Sequence, residues 1–79
     1  MLIVSPEKTL FEGPVKYVRL PGSAGQFAVF HNHAPLISSL DAGEVVYRSG
    51  KDKICLNISG GFVEVNDNTV SVCVTEVTA

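Results

Sequence analysis

The chain has 79 residues, 46% of them hydrophobic, with eight acids, six bases and a formal net charge of -2. One domain is all that fits, and a domain this small buries only about 60% of the surface its unfolded chain exposes, so part of its apolar surface is expected to serve an interface. With no run of either charge sign and no stretch near the ~20 apolar residues of a membrane span, the sequence carries no footprint for nucleic acid, anionic lipid or direct membrane insertion. The first residues, Met1 to Lys8, lack the pattern of a secretory signal, and the expectation is a chain that stays in the cytoplasm.

Residues 2–5, 9–12, 15–20 and 27–30 read as short strands, punctuated by Pro6, by Gly13-Pro14 and by Pro21-Gly22 with Gly25. Gly22 and Gly25 are expected to supply positive φ in the strand connection. Residues 30–40 read as a loop, polar at Asn32 and His33, apolar from Ala34 to Ile37, and held extended by Pro35. Leu36 and Ile37 equally suit the opening of a further core strand. Residues 44–48 and 53–59 flank Ser49-Gly50, and residues 61–65 and 69–77 flank Asn66-Asp67-Asn68; both connections suit tight hairpins.

Ile54, Leu56 and Ile58 alternate with Cys55, Asn57 and Ser59, and Val70, Val72 and Val74 alternate with Ser71, Cys73 and Thr75, so each run presents one apolar face. Gly60-Gly61 suits a bulge or a close backbone approach at a sheet corner. No window carries apolar residues at helical spacing. Short strands with alternate faces apolar must stack two sheets to bury them, which makes the fold class all-β and the architecture a small β-sandwich.

Reactive groups are sparse. Cys55 and Cys73 lie inside strand-like runs, away from any CxxC pattern, and are expected as reduced, packed thiols. His31 and His33 share a parity and could converge on a metal, but a zinc site needs three or four ligands and only Asp41 lies near, so loop or interface histidines are the simpler reading. Ser38, Ser39, His33 and Asp41 have the residue types of a nucleophilic triad, yet triads are assembled from separate elements and serines after Pro35 suit a turn or an edge. Neither glycine pair leads into a helix, so a phosphate cradle is unsupported. The expectation is no catalytic, cofactor or metal residues, and a recognition role for the Asn32–Ile37 segment. Two rival readings are a free-standing ligand- or metal-binding sandwich using His31, His33 and Asp41, and a homodimer formed through the apolar face.

Several motifs follow one another in a family-specific order: Val4-Ser5-Pro6-Glu7, Leu10-Phe11-Glu12-Gly13, Pro21-Gly22-Ser23-Ala24-Gly25, Asn32-His33-Ala34-Pro35-Leu36-Ile37, and Ser59-Gly60-Gly61-Phe62-Val63-Glu64-Val65 before Asn68-Thr69-Val70. Along essentially its whole length the chain resembles the N-terminal β-sandwich domain of the epsilon subunit of bacterial rotary (F-type) ATP synthase. The resemblance implies one domain over residues 1–79, a flattened sandwich of about ten short, mostly antiparallel strands in two sheets. It further implies a non-catalytic, cofactor-free part of the central stalk, bound to the gamma subunit and resting on the c-ring. Its place would be peripheral, at the cytoplasmic face of the bacterial inner membrane, where proton-driven rotation is coupled to ATP synthesis.

In such proteins one end of the sandwich meets the polar loops of the c-ring, and the segment matching residues 26–35 lies there. Carried over, Gln26, Asn32 and His33 make polar contacts to the ring, Phe27 and Pro35 shape the loop, and Gly22, Gly25, Gly60 and Gly61 are structural turns. A sheet edge and face with exposed hydrophobic residues meets gamma. Two departures stand out: the family often has an acid where Gln26 stands, which removes a charge-assisted contact, and His31-Asn32 replaces the usual glycine before the histidine. Most relatives also carry a C-terminal helical hairpin that binds ATP or inhibits hydrolysis; the sequence stops at Ala79, where it would begin, so no C-terminal helical domain and no inhibition by it are expected.

Overall fold

The computed structural model describes residues 1–30, 34–75 and 77. Nine strands form among them, and none of these residues is helical. In chain order they are β1 (Leu2–Val4), β2 (Thr9–Glu12), β3 (Tyr17–Gly22), β4 (Gly25–Phe30), β5 (Leu36–Leu40), β6 (Gly43–Ser49), β7 (Asp52–Ile58), β8 (Gly61–Asn66) and β9 (Thr69–Val74).

The expected strands are present, with shifted bounds that have local causes. β3 runs through Pro21, which was expected to end it, because Pro21 stands opposite Gln26 at a position that asks no donor of its nitrogen, while its carbonyl accepts from the Asp41 N–H at 2.8 Å. β4 consequently starts at Gly25, and the whole pair from Tyr17↔Phe30 to Gly22↔Gly25 is regular. The expected loop over residues 30–40 is corrected in its second half: residues 36–40 form β5, laid antiparallel along β8 from Leu36↔Val65 to Leu40↔Gly61. The last strand stops at Val74, and Val77 makes only an isolated bridge to Ile58.

One continuous sheet folds over on itself to give two layers. The first has the order β2-β1-β9-β8-β5 and the second β4-β3-β6-β7, and the two join where Gly22 of β3 pairs with Leu40 of β5. Every pairing is antiparallel except β1 with β9. The extents are 28 × 28 × 19 Å, the short axis being what two layers about 10 Å apart require once side chains are added.

Between the layers lie Ile3, Leu40, Val63, Val65, Val70, Val72 and Val74 from the first, and Val18, Leu20, Val29, Val45, Tyr47 and Ile58 from the second. The period of two fixes this: Val70, Val72 and Val74 all face inward, as do Ile58 and, half-buried, Ile54 and Leu56. The hairpins close as their turn residues demand. Asp67 and Asn68 both have positive φ, at 53° and 59°, the requirement of a two-residue type I′ turn, and Gly50 has φ 61°.

The glycine expectations hold in part. Gly25 has φ 134°, but Gly22 does not have positive φ; it is small because the Gly25 carbonyl and the Phe27 ring occupy the space a Cβ would take. Gly61, at φ 148°, passes against the backbone of Cys73 so closely that any Cβ would collide with its carbonyl, which is the close approach expected at this corner. Both cysteines are free, yet Cys55 is exposed rather than packed, because odd positions of β7 face outward.

Candidate functional site

The structure divides the expected contact residues between two places. Gln26 is exposed beside the Gly22–Gly25 turn, at the corner where the layers join. Three polar side chains share that corner: Ser23 Oγ donates to Asp41 Oδ1 at 3.0 Å, Ser39 Oγ donates to Ser23 Oγ at 2.9 Å, and the Ser23 N–H donates to the Ser39 carbonyl at 3.0 Å. Phe27, the next residue of β4, turns inward and half-buries its ring against the core beneath Gly22.

Pro35 is exposed at the other end, just ahead of β5, so that the length of β5, about 13–17 Å, separates it from the corner. There it borders a shallow groove with Leu36, Ile37, Glu64 and Asn66. The expectation that residues 26–35 form one loop is corrected: β4 occupies residues 25–30, because the two-residue turn at Ser23-Ala24 lets the chain return at once along β3. Asn32 and His33, together with His31, lie outside the described residues.

The outer face of the first layer carries a second candidate surface. Across the strands, Ser39, Phe62, Cys73 and Val4 stand in one row, and Ile37, Glu64, Ser71 and Leu2 in the next. Ile37 is 75% exposed and Phe62 51%, and they sit diagonally across β5 and β8, near enough for their side chains to form one patch. Half-buried Leu2, Val4 and Cys73 extend it, and Glu64 is the one charged side chain in these two rows. Ile37 was expected either in a loop or in the core; β5 places it on neither. The outward position of Phe62 was readable from the alternation of β8, since buried Val63 and Val65 fix the parity of their neighbours.

On the outer face of the second layer, Arg19 Nη2 and Glu44 Oε1 are 4.0 Å apart, a solvent-screened pair between half-exposed side chains. Arg19 Nε is buried without a hydrogen-bond partner among the described residues. Beside it, the Tyr17 and Phe30 rings pack with centroids 5.9 Å apart, and Val46 is buried outside the main core, flanked by Arg19 and Cys55 on the neighbouring strands.

Ser39 and Asp41 do meet through Ser23, but as exposed hydrogen-bonded corner residues, and no group of three metal-ligating side chains occurs among the described residues. What the arrangement offers is contact: a polar corner, an apolar sheet face and a shallow groove at the opposite end.

A family model for the ATP synthase delta/epsilon chain beta-sandwich domain matches residues 1–79. The chain is 44% identical over 70 residues to the ATP synthase epsilon chain of Leptospira borgpetersenii serovar Hardjo-bovis, covering 89% of this chain and 55% of that one. It is 38% identical over 72 residues to the ATP synthase epsilon chain of a Cyanothece strain, covering 91% and 52%. The chain thus spans about half the length of the relatives it matches. Among solved structures, the fold is shared with a chain of the Euglena gracilis mitochondrial ATP synthase OSCP/F1/c-ring assembly, at TM-score 0.90 and 24% identity over 98% of this chain and 50% of that one. A chain of the Tetrahymena thermophila mitochondrial ATP synthase central stalk and c-ring matches at TM-score 0.81 and 19% identity over 96% and 62%. The chain belongs to the beta-sandwich domain family of ATP synthase delta and epsilon chains.

Proposed function

We propose that this domain is the stalk-seating part of an epsilon subunit, holding gamma on the c-ring while rotation couples proton flow to ATP synthesis. It performs no covalent chemistry and stays peripheral, at the cytoplasmic face of the coupling membrane. The family match over residues 1–79 carries the reading. The two surfaces give it a division of labour. The apolar outer face around Phe62 and Ile37 suits a permanent, largely dry contact with gamma. The corner with Gln26, Ser23 and Asp41 presents donors and acceptors suited to the polar loops of a ring, with Phe27 anchoring the strand from beneath.

Asn32 and His33 remain proposed ring contacts from the resemblance alone. Pro35 lies too far along β5 to act with Gln26, and in this reading its groove serves the gamma side.

The test is co-purification of the tagged chain with co-expressed gamma and c-ring, read by native mass spectrometry. A one-to-one complex with gamma that Phe62→Asp abolishes supports the reading. A well-folded gamma that never binds it overturns it.

A further inference from the structure

The sandwich has an unprotected margin. Among the described residues β4 pairs only with β3, and no strand lies along its other edge. The two-residue turn makes Gly22 and Gly25 the hydrogen-bonded pair of the hairpin, so Phe27 and Val29 address β3 while Gln26, Ala28 and Phe30 direct their N–H and C=O groups to the open side. Natural edges are blunted by charge, proline, bulges or brevity. β2, the outermost strand of the other layer, is four residues long, ends in Glu12 and lies across a register shift at Ile3/Val4. β7, at the far margin of β4's own layer, carries Asp52 and Lys53 and is bridged at Ile58 by Val77. β4 has six residues, no charge, no proline and no bulge, and it ends in Phe30, which is 61% exposed.

We propose that this edge is an association site for a second copy of the same chain, two β4 strands joining antiparallel about a two-fold axis at Ala28. Parity selects that register. With Ala28 opposite its own copy, Gln26 lies opposite Phe30 of the second copy, and all three outward-directed residues of each strand exchange hydrogen bonds. On the inner side Phe27 meets Val29, and on the outer side Phe30 covers the stem of Gln26. Centring on Phe27 instead would leave Phe30 without a partner. The strand carries no ionisable side chain, so no like charges meet within the new strand pair, and Ala28 at the axis puts little bulk between the copies. The second layers of the two copies then form one continuous sheet. A single strand pair is a small interface, so association is of the transient class, with a dissociation constant between about 10 μM and about 1 mM. It covers the β4 edge next to Gln26, so the dimer and the proposed ring contact exclude one another, making the dimer a form the chain adopts outside the rotor.

Sedimentation over that concentration range, paired with amide hydrogen exchange by NMR on the unmodified chain, tests the proposal. The expected result is a reversible monomer–dimer equilibrium in which the amides of Gln26, Ala28 and Phe30 gain protection with concentration while those of Phe27 and Val29 do not change. Ala28→Glu sets two carboxylates across the axis and weakens the dimer about fivefold or more; the new acid stands opposite Arg19 on β3, so the monomer keeps its fold. Phe62→Asp, on the opposite layer, leaves the dimer intact and separates this edge from association through the apolar face. A chain that stays monomeric to about 1 mM, or a dimer whose formation leaves those three amides unprotected, overturns the proposal.

Discussion

Phe11 of β2 and Tyr47 of β6 meet with ring centroids 4.7 Å apart and planes inclined by 50°, which ties the outermost strand of one layer to the centre of the other. The two strands share no backbone pairing, so the contact clasps the open margin of the sandwich by side chains alone. Truncating the clasp with Phe11→Ala removes a half-buried ring and is expected to cost about 2–3 kcal/mol, measured as a lower urea midpoint at constant slope.

Burial also pushes the Tyr47 phenol above the usual 10.0. The folded state therefore holds the phenolic proton longer than the unfolded chain does. No stability is lost to this group below pH 10.0, and stability falls as pH rises above it, because ionisation then favours unfolding. The unfolding midpoint of the unmodified chain should drop above that pH more steeply than that of Tyr47→Phe, and the difference between the two curves isolates this side chain.

Two glycines with positive φ should respond differently to the same change. Gly50→Ala sits in open space at φ 61° and loses only the left-handed preference, about 1 kcal/mol. Gly61→Ala drives a methyl into the Cys73 carbonyl, a backbone atom that cannot step aside without breaking the β8–β9 ladder. Its expected cost is above about 3 kcal/mol, and soluble expression together with thermal melts of the two variants will rank them.

The apolar face predicts a split between folding and docking. Phe62→Asp and Ile37→Asp both replace outward side chains, so melting temperatures should stay within about 2–4 °C of the parent. Gamma capture should fall about tenfold or more with either, as for a central aromatic or aliphatic anchor. Arg19→Gln, on the other layer, should leave gamma capture unchanged.

Gln26→Glu is expected to tighten the proposed ring contact by about threefold to tenfold at low salt, with the gain fading as ionic strength rises. Titrating the gamma complex of each form onto detergent-solubilised c-ring at two salt concentrations reads both parts of this expectation. Asp41 shares the corner, so the added carboxylate should also lower stability slightly in the free protein, by less than about 0.5 kcal/mol.

The alternation of apolar residues made most strands legible in the chain, because period two needs no knowledge of neighbours: Val70, Val72 and Val74 announce their own inward face. β5 was hard to read because its pattern Leu36-Ile37-Ser38-Ser39-Leu40 puts an isoleucine outside and a serine inside, a choice made by pairing with β8 rather than by hydropathy. Pro21 misled for a related reason. A proline breaks a strand only where its missing N–H is needed, and which side of β3 that nitrogen faces depends on the partner strands. The candidate surfaces followed the same rule. Gln26 was identifiable from the resemblance, whereas its separation from Pro35 depends on the course of β5, and the serine cluster with Asp41 exists only once the two layers meet at Gly22 and Leu40.

The parallel pairing of β1 with β9 sets the order of events during biosynthesis. Leu2, Ile3 and Val4 find their partners at Ser71, Val72 and Cys73, almost the full length of the sandwich later. On a ribosome the first strand can pair with β2 as soon as that hairpin emerges, as β3 can with β4 and β6 with β7, but its other edge must wait until the ninth strand has emerged. Closure of the first layer is then a late step, and in a nascent chain halted before β9 the β1–β2 hairpin, with no β9 to dock on, should be cut by protease more readily than in the finished domain.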